Sequence, residues 1–140
     1  MNPKQTEARY PVDRQPSIRV LLMPRDMNPL GTIFGGVILS HIDSSAAIEA
    51  HCYYPGRMVT VAMDKIVFKQ PVFVGDLVSF FTETVRVGTT SVTVKVSVWS
   101  QRRLTSQEFV YVTEALVTMV AVDEEGRKVP IRKCQVGNGT

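Results

Sequence analysis

Histidine and cysteine are scarce in this chain, with two of each among 140 residues, and tryptophan occurs once. Cys52 and Cys134 stand far apart and form no CxxC pair, so the expectation is two unpaired thiols in a reducing compartment. His51 adjoins Cys52, but adjacent residues seldom make a site by themselves. With two histidines and no clustered ligands, no metal site is expected. No apolar run reaches the roughly 18 residues that suggest a membrane span. The opening stretch MNPKQTEARYPVDRQPS is polar and lacks the apolar segment of a secretory signal, so the default expectation is a cytoplasmic address with no membrane partner. Charge of one sign is also slight: 16 Lys and Arg against 13 Asp and Glu give +3. The cations are scattered, with no basic helical stripe and no aromatic RNA-binding pattern. Nucleic-acid binding is therefore not expected, whereas a phosphorylated small molecule would need only two or three of these charges.

Hydrophobic residues make up 44% of the chain and charged residues 21%, enough for one domain with one core. Residues 1–16 are polar and carry prolines at 3, 11 and 16, so they are expected to be disordered. Residues 17–131 read as the single domain and 132–140 as a polar tail. SIRVLLM, from Ser17, is a short strand stopped by Pro24, and PRDMNPLGT is turn-rich. A helix runs from near Gly35 to about Cys52. It is small or apolar on nearly every side, so it is expected to be buried on most of them. Its polar exceptions include Asp43. RMVTVAMDKIVFK, GDLVSFFTETVRV, TTSVTVKVSVWS and QEFVYVTEALVTMVAVD then read as four strands joined by short turns. Val92, Val94, Val96 and Val98 alternate onto one face. The fold class is α+β, an antiparallel sheet of about five strands curved around one long central helix. Its open edges make a homodimer the expected unit.

Gly36 and Asp43 lie seven residues apart, on nearly the same side of the helix and about 10 Å apart along its axis. Free N–H groups at the helix start, approached closely at Gly35 and Gly36, suit a developing oxyanion, and Asp43 offers a base or a nucleophile. Ten ångströms is too far for both groups of one chain to meet one carbonyl carbon. Two antiparallel helices in a dimer would bring Asp43 of one chain to the Gly36 N–H of the other. Each residue also has a plainer reading: Asp43 as a structural carboxylate, the glycine pair as a close-packed helix start, Asn28 as a turn residue before Pro29. His41 lies about 200° around the helix from Asp43, which disfavours a His–Asp dyad.

MPRDMNPLGTIFGGVILSHID resembles the signature of the hotdog-fold acyl-CoA thioesterases, in the branch of the bacterial YciA-type and brain-type acyl-CoA hydrolases. The likeness continues through VTVAMDKIVFKQPVFVGDLV, VGTTSVTVKVSVW and TEALVTMVAVDEEGR, covering about residues 17 to 130. The resemblance implies a hotdog fold and hydrolysis of acyl-CoA to free acid and coenzyme A. It implies Asn28 and Asp43 from opposite subunits as the catalytic pair, with the Gly36 N–H polarising the carbonyl. It implies a homo-oligomer, commonly a hexamer built as a trimer of dimers. No cofactor follows, because coenzyme A belongs to the substrate and the product. Gly35, Thr89, Thr90, Ser91, Arg57 and Lys69 are candidate contacts for the coenzyme, with Arg102 a further candidate for its phosphates. The acyl chain is expected near Phe34, Ile38 or Met63. Two rivals stay open: a hotdog hydratase or dehydratase, and a non-catalytic acyl-CoA-binding protein.

Overall fold

Val92, Val94, Val96 and Val98 are all fully buried, and Thr93, Lys95 and Ser97 between them are not, so the alternation seen in the sequence becomes the two faces of a strand. The structure, a computed structural model, describes residues 8–134. The elements are β1 (Ile18–Leu21), a 3-10 turn (Pro24–Asp26), α1 (Gly35–Ala50), β2 (Arg57–Asp64), β3 (Leu77–Val87), β4 (Ser91–Gln101) and β5 (Phe109–Val122). The five strands form one sheet in the order β1-β3-β4-β5-β2, and every neighbouring pair is antiparallel.

Helix α1 packs on the concave face of this sheet. Ile38, Ile42, Ala46 and Ala50 recur every four residues and are buried against Val78, Phe80, the β4 valines, Val112 and Val117. Burying Ile38 and Ile42 contributes about 1.5–3 kcal/mol each. The opposite stripe, Gly36, Ser40, Ser44 and Ile48, is exposed. A helix apolar on nearly every side is thus covered on one side only by its own chain, and the expectation of burial on most sides does not hold within one chain.

Three further expectations are corrected. The strand β2 stops at Asp64 instead of running on to Lys69, because Lys65 takes a φ of +62°. β2 pairs with β5 at the sheet edge rather than with β3, so residues 65–76 must cross back over the sheet instead of making a short turn. Along that crossing the Lys69 N–H donates to Val112 O at 2.8 Å and Thr113 Oγ1 to Val67 O at 2.8 Å. The pairing of β2 with β5 skips a residue between Thr60 and Ala62, a bulge that leaves Val61 without a partner.

The N-terminal segment departs from the expected disorder from residue 8 onward; residues 1–7 lie outside the described residues. Tyr10 stacks on Phe109 at 4.0 Å and meets Phe81 and Trp99 edge-on, and Arg14 Nη2 donates to Thr82 O at 2.7 Å. An aromatic cluster on the outer face of the sheet gives this polar segment something to bury. The expected C-terminal tail is described only to Cys134, with residues 135–140 outside the described range.

The cysteines are not unpaired. Cys52 and Cys134, with Cα atoms 4.9 Å apart, form a disulfide. The turn at Asp123–Gly126 sends the chain back along β5, where the Val129 N–H donates to Ala121 O, the Ile131 N–H to Thr89 O and the Arg132 N–H to Tyr53 O. That path ends beside the residue that follows the helix.

Candidate active site

The loop before α1 is held by Asn28. Its backbone N–H donates to Thr32 O at 2.7 Å, its Oδ1 accepts from the Leu30 and Thr32 N–H groups, and its Nδ2 donates to Thr32 Oγ1 at 2.9 Å. The Asn28 amide keeps a second N–H outside this set. The Phe34 N–H donates to Asp26 O at 2.9 Å, which fixes the entry into the helix. No described side chain caps the first turn of α1, so its backbone donors remain the positive pole of the helix. Gly36 is exposed there, and a Cβ at this position would stand 2.9 Å from the Phe34 ring. Gly35 has more room, with Phe68 at 3.8 Å.

Asp43 is half-exposed on the edge of the open helix stripe rather than deeply buried. Thr60 Oγ1 donates to its Oδ1 at 2.5 Å. Thr60 is absent from the residues picked out in the sequence: within an alternating strand nothing marks it, and only the bulge in β2 aims it at the helix. Between them Asn28, Gly36 and Asp43 occupy one end and one face of α1. No hydrogen bond among the described residues joins Asn28 to Asp43 within the chain.

A cleft of about 320 Å³ opens beside the helix start, lined by Thr32, Ile33, Gly35, Ile38, Phe68 and Pro71. Its walls are mainly apolar. Ile38 belongs to it as expected. Phe34, 58% exposed, and Met63, packed against the core from β2, do not line it.

The remaining candidates are dispersed. Lys69 also lines the cleft, with its Nζ 4.7 Å above the Tyr111 ring. Thr89, Thr90 and Ser91 form the β3–β4 hairpin. Thr89 O accepts from Ile131, next to Arg132, which reaches Tyr53 beyond the helix C-terminus. Within one chain the hairpin is therefore a helix length, roughly 20 Å, from Gly36. Arg57 opens β2 opposite Val122 and is exposed. Arg102 is corrected as a phosphate contact: it is buried, its Nη1 lies 2.5 Å from Asp76 Oδ2, its Nη2 donates to Pro71 O at 2.8 Å, and it lies over the Phe73 ring. A guanidinium committed to these partners is not available to a ligand.

Two faces of the chain lack cover. The β2 edge pairs on one side only, leaving Val59, Thr60 and Val61 exposed, and the helix stripe beside it ends in Ile48, 53% exposed. Open ladder groups next to apolar side chains favour a further strand. On the outer face of the sheet, Tyr111 donates to Glu114 Oε2 at 2.5 Å, and Lys95 Nζ lies 3.6 Å from the same oxygen. Burial and this carboxylate push the Tyr111 phenol well above its usual range, while the tyrosine hydrogen bond holds Glu114 below the usual carboxylate range. Among the described residues no group of three or more His, Cys, Asp or Glu is placed to hold a metal ion, and no helix is long and apolar enough to cross a membrane.

Residues 30–106 match the family model described as the thioesterase superfamily. The acyl-CoA thioester hydrolase YciA of Salmonella typhimurium is 39% identical over 116 residues, which is 81% of this chain and 87% of that protein. A hexameric hotdog-fold thioesterase of Campylobacter jejuni has 49% sequence identity and a TM-score of 0.79, over 84% of this chain and 90% of the other. A hexameric thioesterase of Yersinia pestis has 36% identity and a TM-score of 0.80, over 86% and 98%. A five-stranded antiparallel sheet curled around one helix, a family model spanning more than half the sequence and relatives matched over most of their own length agree: the chain belongs to the thioesterase superfamily and has the hotdog fold.

Proposed function

We propose that this protein hydrolyses acyl-CoA thioesters to a free acid and coenzyme A, at a site shared by two copies of the chain. The observation that carries this reading is the setting of Asp43. A carboxylate held on one oxygen by Thr60 lies on an open helix stripe, next to an open strand edge, with an uncapped helix start two turns away. Pairing of two β2 edges would run the sheets together and lay the two α1 stripes side by side. Asp43 of one protomer would then approach Asn28 and the Gly36 N–H of its partner. A homodimer is the minimal active unit, and the hexamers named among its relatives suggest a trimer of such dimers here.

A thioester carbonyl is already electrophilic, and its thiolate leaves readily, so no activated serine or cysteine is needed. Asp43 either takes a proton from water as that water attacks or attacks the carbonyl itself, with hydrolysis following. The Gly36 N–H meets the oxygen on which negative charge develops. The departing sulfur leaves as the thiolate of coenzyme A. Asn28 orients the carbonyl or the water through the amide N–H outside its loop bonds. The cleft beside Gly35 takes the acyl chain, and Lys69 at its rim, with Thr89–Ser91 and Arg57 brought by the partner, serves the coenzyme. The hydratase alternative is disfavoured by His41, whose Nδ1 bonds to Val37 O at 2.8 Å and whose ring stacks on Phe80, away from Asp43.

Thiol release from a panel of acyl-CoA lengths tests the proposal. Asp43→Asn and Asn28→Ala are each expected to lower turnover at least about 100-fold, with the oligomer intact. Mixed after subunit exchange, the two inactive variants should regain up to about a quarter of wild-type activity, because half the dimers carry one complete site. Exchange seen by native mass spectrometry without recovery would refute the shared site. Coenzyme A binding without thiol release from any substrate would point to a non-catalytic binder.

A further inference from the structure

The last described stretch of the chain is bound more weakly than its position suggests. Beyond the turn at Asp123–Gly126, residues 129–134 form no strand. Three backbone bonds hold them: Val129 N–H to Ala121 O at 2.9 Å, Ile131 N–H to Thr89 O at 2.9 Å and Arg132 N–H to Tyr53 O at 2.8 Å. Ile131 and Tyr53 are half-buried and pack against the core beside it. A short terminal segment held this way frays readily. The bond that closes it is covalent: Cys134 is joined to Cys52, one residue past the helix C-cap His51, across a sequence separation of 82. One covalent link therefore ties three parts together: the helix end, the β3–β4 hairpin and the C-terminal segment.

We propose that the Cys52–Cys134 disulfide is a redox-operated clasp that locks residues 129–134 over the joint between α1 and the β3–β4 hairpin. Opening it is a two-electron reduction by a dithiol. A thiolate of the dithiol attacks one sulfur and displaces the other cysteine as a thiolate. The second thiol of the reductant then attacks the mixed disulfide, releases the remaining cysteine and becomes oxidised itself. The segment then depends on its three backbone bonds, and the Thr89 carbonyl loses the constraint that holds the hairpin to it. Resting on the acyl-CoA reading above, in which Thr89–Ser91 contact the coenzyme, opening the clasp also weakens substrate binding.

Lys128, Arg132 and Lys133 lie in or beside the clasped segment and supply a readout that needs no activity. The full-length protein is incubated in a dithiothreitol series, alkylated for intact-mass thiol counting and digested briefly with trypsin. Cleavage at these residues should rise at least tenfold as two alkylated thiols appear, and fall again on reoxidation. Cys52→Ser and Cys134→Ser should both cleave at the fast rate without reductant and stop responding to it. Two alkylated thiols with an unchanged cleavage rate would overturn the clasp, as would failure of the oxidised protein to lose both thiols. In parallel, KM for acyl-CoA should rise several-fold on reduction. An unchanged KM in a protein whose cleavage responds would overturn the coupling to substrate alone, and thiol release absent in both redox states would count against the enzymatic reading while leaving the clasp in place.

Discussion

Removing Arg102 should unfasten the crossing segment that walls the candidate acyl cleft. Asp76 Oδ2 accepts from the Phe73 N–H at 3.0 Å, from Ser100 Oγ at 2.8 Å and from Arg102 Nη1 at 2.5 Å, and both charged side chains are at least nine-tenths buried. Arg102→Met leaves that carboxylate in place with no cation, and leaves Pro71 O without its donor. Breaking a buried pair from one side costs about 3–5 kcal/mol, which for a chain of this size lowers Tm by roughly 10–20 °C. The exposed pair Arg127–Asp123, with the arginine side chain 75% exposed, supplies the control: Arg127→Ala should change stability by about 0.5 kcal/mol or less. Adding Asp76→Asn to Arg102→Met should recover part of the loss, since the amide oxygen still accepts from Phe73 and Ser100 while the buried charge is gone. Differential scanning calorimetry of the four proteins decides the matter. An Arg102→Met protein melting within a degree or two of wild type, or a double variant less stable than the single, would show that the pair does not hold the segment.

Two further outcomes can be measured independently. Val61→Lys places a charge on the exposed β2 edge and should dissociate the dimer in sedimentation velocity while the isolated chain keeps its far-UV spectrum; an unaffected dimer would show that β2 is not the interface. Glu114 has a folded-state pKa below its unfolded value of about 4.3. Its stabilising contribution is therefore present above that unfolded value and is lost as pH falls through the folded one. Tyr111→Phe removes the hydrogen bond that is the main cause of the shift, so the Glu114 titration followed by NMR should move up toward the ordinary range, and an unmoved titration would contradict that assignment.

The helix and β4 were legible because each carries a period over enough residues to outvote its exceptions. Gly35–Ala50 was expected within two residues of its bounds, and the β4 valines all lie on the core face. The pairing of β2 with β5 was not legible, since alternation gives the faces of a strand but says nothing of which neighbour it takes. The positive φ at Lys65 carries no glycine to announce it. Arg102 read as a loose surface cation because its partner, Asp76, is 26 residues away and meets it only after β3 and β4 have paired. The disulfide was hidden for the same reason, with the return path of residues 127–134 supplying the proximity. Asn28, Gly36 and Asp43 could be named from their spacing and from the family resemblance, but Thr60 has no local signature.

The bulge at Val61 has a reach beyond its own strand. Met58 and Met63 both pack toward the helix although five residues separate them, an odd interval that regular alternation would send to opposite faces. The extra residue reconciles the two and leaves Thr60 under Asp43. The aim of the acid is thus governed by a count: with the unpartnered valine excised and every other side chain kept, either the methionines or the threonine must turn outward. In lineages of this fold, a single-codon deletion there would disarm the carboxylate as surely as replacing it.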